Sequence, residues 1–410
     1  MGTNPVFTMN TPVIGRRQVL ARLGGLGSWL VAPLAPAGTL RQESSTEAIQ
    51  LVAAWEKLGQ FHIGLLHASL ATGQSLQAQA TLEVPTRAHA LLPQADGSVL
   101  AVARRPGDWL VRWRPGRQQK PEWLWIEPAR AFNGHVIASP DGQRLFTTET
   151  DLETGAALIG VRDARSLEKI AEWPTHGIDA HELIWDHGVS SPKKNGGAQT
   201  TMPTLIVANG GVPTSPETGR VKRDLDTMAS SLVRLSGHSG ELLGQWHLTD
   251  PRLSLRHLAW LPQSSLLGIA LQAEHNDLTA KQTAPVLALF DGLKLRTFDA
   301  PKNIAAKCLG YGGSMAATRR GWAVSCPRAN GVATYTPDGR WLGLVPLTDA
   351  YALAVHDTQL WISGRDRALR SDTDSAITTH PYAHGLKDVR MDNHWYAVAS
   401  AHPYLAVDRP

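Results

Sequence analysis

The chain has 410 residues, with 40 Lys and Arg against 36 Asp and Glu and a formal net charge of +4. Its basic residues are scattered as Arg104-Arg105, Lys193-Lys194 and Arg319-Arg320 rather than gathered in a stripe with interleaved aromatics, which argues against nucleic acid as a partner. With 37 Gly, 26 Pro and only 19% charged residues, and with turn signals such as Pro140-Asp141-Gly142, Asn209-Gly210-Gly211 and Pro337-Asp338-Gly339 between short apolar runs, a helical protein is excluded and one large all-β domain is expected.

In chain order, the first forty residues read as an address rather than as part of a fold. Arg16-Arg17-Gln18-Val19-Leu20, the weakly apolar run from Leu23 to Val31 and then Ala35-Pro36-Ala37 give the order of basic region, apolar region and small-residue cleavage site. The paired arginines point to the twin-arginine route, which exports folded proteins, although Gly15 and Val19 stand where other residues are commoner. No other segment reaches 18 apolar residues. The expectation is a periplasmic, monomeric protein without stable membrane insertion after signal cleavage. Residues 41–57 are expected to be a linker, 58–400 the folded domain and 401–410 a tail.

Beyond the linker, a histidine recurs where each new apolar run begins. His89, His135 and His181 are each 46 residues apart, and His257 follows after 76. A period of about 40 to 50 residues is that of one four-stranded propeller blade. From His89 the strands run over 90–92, 99–103, 109–114 and 123–127; from His135 they continue through 145–148, 158–162 and 170–173. The unit starting at His181 carries insertions over 188–202 and 212–230, which explains the longer gap before His257. Further units start near Gly313 and Leu353. A last inner pair, 389–392 and 395–399, lacks outer strands, and 61–68 with 75–84 would supply them. The result is a seven-bladed β-propeller closed by N- and C-terminal strands, with no open sheet edge at the junction. His394 then becomes the fifth member of the series. Trp109, Trp113, Trp123, Trp125 and Trp173 are expected to fill the gaps between radial sheets. Cys308 and Cys326, each in a strand-like segment, either pair as a disulfide or serve as small buried hydrophobes.

Seven motifs in order carry a family resemblance: Ala103-Arg104-Arg105-Pro106-Gly107; Gly134-His135 with Ser139-Pro140-Asp141-Gly142; Thr148-Glu149; Thr175-His176-Gly177-Ile178 with His181-Glu182; Val207-Ala208-Asn209-Gly210-Gly211; Asp224-Leu225-Asp226-Thr227-Met228; and Arg256-His257-Leu258. Together they resemble the bacterial family known as domain of unknown function 1513, over about residues 58 to 400. The resemblance implies an exported propeller whose relatives occur beside imelysin-type periplasmic proteins and di-haem proteins in clusters read as iron-acquisition loci. This chain departs from the pattern at Ala88-His89-Ala90, where Gly-His-Gly is usual, and at Cys326-Pro327-Arg328-Ala329, where Ser-Pro-Arg-Gly is usual.

A propeller carries equivalent positions to one mouth of its axis. His89, His135, His181, His257 and His394 are therefore the candidate metal ligands, and imidazole suits Fe, Cu or Zn. The competing view is a Gly-His pair that is structural, its imidazole hydrogen-bonding within each blade. Five histidines among seven units favour a site, because a purely structural role would extend to all seven. Arg104, Arg105 and Arg256 are candidates to hold an anionic ligand bidentately, with Glu149 and Glu182 as carboxylates beside it. The function expected is binding of a metal ion or small ligand at the channel mouth, in iron or other metal handling. A metal-assisted hydrolase or lyase on the same scaffold, marked by a deep pocket and a poised base, is the first alternative. A protein-interaction platform, marked by an exposed apolar face, is the second. No nucleophile elbow, metalloprotease helix, phosphate loop or dinucleotide fingerprint appears.

Overall fold

A computed structural model describes residues 48–70, 73–187, 203–213, 224–372 and 376–398. The expected export signal over 1–40, the expected tail over 401–410, the 188–202 insertion and most of the 212–230 insertion lie outside the described residues. Every sheet follows one scheme. Strands β1 (Ala48–Lys57), β2 (Gln60–Ser69) and β3 (Gln77–Val84) open the chain. Five four-stranded meanders follow. They are β4 to β7 (Ala88–Pro93, Val99–Ala103, Trp109–Trp113, Glu122–Trp125), β8 to β11 (Arg130–Ala138, Arg144–Asp151, Ala156–Asp163, Lys169–Ile178), β12 to β15 (Ala180–Trp185, Thr204–Asn209, Ser231–Ser236, Leu242–Trp246), β16 to β19 (Leu253–Trp260, Leu267–Ala273, Leu287–Phe290, Leu295–Phe298) and β20 to β23 (Met315–Thr318, Gly321–Cys326, Gly331–Tyr335, Trp341–Pro346). A last meander, β24 to β27 (Leu353–His356, Gln359–Ser363, Arg367–Ser371, Ile377–Pro381), shares an eight-stranded sheet with β28 (Arg390–Val398), β1, β2 and β3, in the order β27-β26-β25-β24-β28-β1-β2-β3. The two halves of that sheet meet at a single parallel pair, Leu353 with His394.

Within each meander the sequence sets which strand lies inside. In the first full meander the second strand, Val99–Ala103, is a continuous apolar run and the third, Trp109–Trp113, is broken only by Arg112, and every residue of both is buried. Strands covered on both faces read this way. The fourth strands alternate with solvent, as in β3 and β11, where exposed and half-buried residues follow one another. That makes them the outer edges. Apolar clusters draw on consecutive sheets: Phe146, Ile159 and Val161 pack with Leu183, Leu205 and Val207, and Ile206, Ala208 and Leu232 pack with Leu255, Ile269 and Leu271. The first strands of successive meanders touch in chain order, β4 on β8, β8 on β12, β12 on β16, β16 on β20 and β20 on β24, while β28 touches both β24 and β4. The fold is all-β and propeller-like.

Three expectations need correction. Residues 48–57 are no linker: Ala48–Lys57 is β1, paired along its length with β2 and, over 50–56, with β28. Its run Leu51-Val52-Ala53-Ala54-Trp55 is buried and has the continuous apolar character of an inner strand. The expected inner pair 389–392 and 395–399 is one strand, β28, whose alternation breaks at a bulge rather than at a turn. Among the tryptophans, Trp109 and Trp113 are buried, Trp173 is half-buried, and Trp123 and Trp125 on the outermost strand β7 are exposed.

Helices are short. Among the described residues, α1 (Leu278–Thr283) and α2 (Lys302–Cys308) have six and seven residues, and no helix is long and apolar enough to cross a membrane. Cys308 closes α2 rather than a strand, and both it and Cys326 are buried free thiols. After Cys326-Pro327-Arg328-Ala329 the turn that lacks its usual glycine is completed by Asn330, with φ 50°. Asn is among the few side chains that enter this left-handed region readily.

Candidate metal centre

The histidines are aimed by a repeated irregularity of the backbone. Pairing of β4 with β5 slips between Ala88 and Leu91, flanking His89. The same slip occurs between Phe132 and Val136 around His135, between Ala180 and Leu183 around His181, and between Leu255 and Leu258 around His257. In the fifth case Met391 and Trp395 of β28 pair with Trp55 and Ala53, so Asp392-Asn393-His394 face a single residue, Ala54. A β-bulge bends its strand and re-aims one side chain out of the pleat. Amides that a bulge withdraws from the ladder still need acceptors when buried, and side chains supply them. The His135 amide donates to Thr148 Oγ1 at 3.3 Å, the Leu258 amide to Glu182 Oε2 at 2.7 Å and the Asn393 amide to Asp392 Oδ1 at 2.7 Å.

The five imidazoles meet in one buried volume. His89 contacts each of the others, with ring centroids 4.8 Å from His135, 5.5 Å from His181, 5.6 Å from His257 and 4.7 Å from His394. The His257 and His394 rings stack at 4.5 Å. The ligand atoms of His89, His135, His181 and His257 lie within 4.8 Å of one another, and His181 Nε2 stands 2.8 Å from His257 Nε2. Gly134 makes the packing possible. Its φ is +105°, and a Cβ there would lie 2.8 Å from His89 Cδ2.

Burial holds the rings neutral. Desolvation pushes His89, His135, His181 and His257 well below the ordinary histidine range, reinforced by neighbouring imidazoles and by Arg104 and Arg256. His394 is lowered to about 4, again by burial first. Burial acts the other way on Glu182, pushing its carboxyl up to about 8. Nε2 of His89, His135 and His394, and Nδ1 of His89, His181 and His257, are buried with no hydrogen-bond partner. Such atoms cost about 1–3 kcal/mol each. A shared cation supplies partners for several lone pairs at once.

The donor set fits an imidazole-binding metal. Two nitrogens each about 2.0–2.1 Å from one ion are about 2.9 Å apart at a right angle and at most about 4.2 Å apart across it. The observed 2.8 Å pair matches the first figure. The 4.8 Å span would need to contract by about 0.6 Å to match the second.

The family model described as "Protein of unknown function (DUF1513)" matches residues 82–398. The chain belongs to this family. Among curated proteins none matches it. Similar solved structures include a functionally unknown protein from Desulfotomaculum acetoxidans DSM 771, 11% identical over 84% of this chain and 99% of that one, with a TM-score of 0.48. They also include the Pan2 WD40 domain of Neurospora crassa, 10% identical over 75% of this chain and 81% of that one, with a TM-score of 0.47. Apo AztD from Citrobacter koseri is 11% identical over 86% of this chain and 98% of that one, also with a TM-score of 0.47.

In this DUF1513 member the candidate ligand-binding residues divide. Glu182 adjoins the cluster, its Oε1 3.8 Å from His135 Nδ1. Arg104 is near enough to depress His89, His257 and His394. Arg256 is buried beside His257, but its guanidinium is held by Asp179 at 3.0 Å and Glu274 at 3.7 Å, and Arg105 grips the same Asp179. Those two arginines clamp one carboxylate. Glu149 does not join the histidines. Its carboxylate is closed by Arg162 at 2.8 Å and Lys169 at 2.7 Å, because strand alternation puts it on the opposite face from Thr148, whose hydroxyl reaches the His181 carbonyl at 3.0 Å. Sequence reasoning missed Asp392 and Arg87, which pair with each other. The signal available was their place, each two residues before a histidine of the series.

Proposed function

We propose that this protein is a seven-bladed propeller that binds a transition-metal ion through His89, His135, His181, His257 and His394 and serves in metal handling in the periplasm. The observation that carries the metal reading is the convergence of five neutral, buried imidazoles with partnerless ring nitrogens. A purely structural set of histidines would be satisfied within its own blades, and iron, copper and zinc all suit imidazole. Seven blades closed by terminal strands are supported by the cyclic contact order of the first strands and by the pairing of β28 with β1.

The deciding experiment is metal analysis of protein purified from the periplasm, followed by titration of the metal-free protein with Fe, Cu and Zn. The expected result is saturable binding of one ion. Protein that takes up none of the three overturns the reading. Export is part of the proposal: replacing Arg16 and Arg17 with Lys should strand precursor in the cytoplasm, and unaltered export would remove the twin-arginine assignment. Imelysin-type and di-haem proteins are the proposed partners, to be tested by co-purification from the periplasm.

A further inference from the structure

His89 is in ring contact with all four other imidazoles, as His135 and His257 also are, and its orientation decides which of its own nitrogens the cluster receives. Its swing is limited on one side by Gly134, whose Cα face packs on the ring. On the other side stands Asp392, with Oδ1 3.8 Å from His89 Nδ1 and both side chains almost fully buried. Asp392 is itself fixed. Its Oδ2 accepts from Arg87 Nε, and its Oδ1 accepts from the Asn393 amide at 2.7 Å. The gap to Nδ1 exceeds a hydrogen bond by about 0.9 Å, and Nδ1 has no other hydrogen-bond partner, so Asp392 is the carboxylate it faces. A carboxylate facing Nδ1 favours a proton there and leaves the Nε2 lone pair on the far edge of the ring. His89 Nε2 is buried without a hydrogen-bond partner, and His181 and His257 already meet through Nε2.

We propose that Asp392, clamped by Arg87, is a positioning residue that holds His89 in its Nδ1–H tautomer and so presents Nε2 to the ion. The role of the ion rests on the metal reading above; the tautomer does not. Arginine, carboxylate and imidazole then form a chain from the partly exposed Arg87 to the centre, the outer-shell support that metal-ligating histidines use.

The test is made on full-length protein with 15N-labelled histidine. In the metal-free wild type, His89 should carry its proton on Nδ1, and Asp392→Ala should shift that population toward Nε2–H. Zinc affinity should fall about 10–100-fold in Asp392→Ala, less in Arg87→Gln, which leaves the carboxylate in place. Asp392→Asn keeps an acceptor oxygen and should recover most of the affinity. An Nε2–H tautomer at His89 in the wild type, or wild-type zinc affinity in Asp392→Ala, overturns the proposal. Should Asp392→Ala fail to fold, the wild-type tautomer and Arg87→Gln still decide. A wild type that binds no zinc, iron or copper overturns the metal reading instead, and the tautomer signals continue to test this one.

Discussion

Five of the first strands, β4, β8, β12, β16 and β28, carry a bulge with a histidine of the cluster; β20 and β24 carry no bulge, and the one histidine between them, His356, ends β24 beside exposed Asp357. Met315 to Thr318 pair with β21, and Leu353 to His356 with β25, in unbroken register. The two regular strands show that this fold does not need the irregularity. They supply packing alone, as Met315 and Ala317 do against Trp322. In the other five, the bulge withdraws amides from the ladder and buries imidazole nitrogens without partners, both of which cost stability. A costly feature that recurs with a histidine each time is there for the histidine.

The largest effect should come from removing the strand that joins the two kinds. Deleting residues after 387 takes away β28, exposes the edges of β1 and β24, and should give aggregated protein. A monomer with an unchanged melting transition would sever the link between terminal pairing and stability. Next in size, His135→Ala and His181→Ala should each weaken metal binding at least tenfold in titration while the metal-free protein stays folded. Loss of folding in a parent that binds no metal would make the bulged strands structural after all.

Met315→Ala, in a regular strand, should reverse that pattern. It should cost about 2–5 kcal/mol of stability by denaturant unfolding and leave metal affinity where it was. Gly134→Ala should cost about 1–3 kcal/mol, since its φ of +105° is strained for alanine and the new methyl meets His89. That variant should also lower metal affinity, which a purely local strain would not do.

The smallest and most graded effect is on pH. Unfolded imidazoles titrate near 6.5, while the buried five lie lower, His394 at about 4. Between those values the unfolded chain binds protons that the folded one refuses, so stability of the metal-free protein should decline as pH falls from about 6.5 toward 4. Metal binding should follow the folded-state values and persist below 6.5. Melting temperatures of metal-free protein that stay flat across that window would mean the rings are not held neutral.

Much of the fold was legible because strand alternation and turn chemistry are local. The meanders beginning near His89, His135, His181 and His257, and those near Gly313 and Leu353, all stand where short apolar runs and Gly turns put them. The segment 48–57 was misread because a strand buried on both faces loses the period of two that marks strands elsewhere. His394 was recognised through its position, but not the bulge that breaks β28 around it, since a bulge is defined by the partner strand and β1 is more than 330 residues away.

The sequence by itself determined that histidines recur at the heads of inner strands, because the repeat period and the side-chain period are both written in one dimension. Tertiary structure alone decided which charges reach them. Glu149 and Glu182 look alike in sequence, each following a threonine or a histidine of the series. Arg162 and Lys169 close the first, while a bulge amide from the next sheet draws the second toward His135. Asp392 meets Arg87 and His89 only where the chain's last described strand comes beside its fourth. Electrostatic partners are fixed by distance in space, and that distance exists only after the sheets have packed.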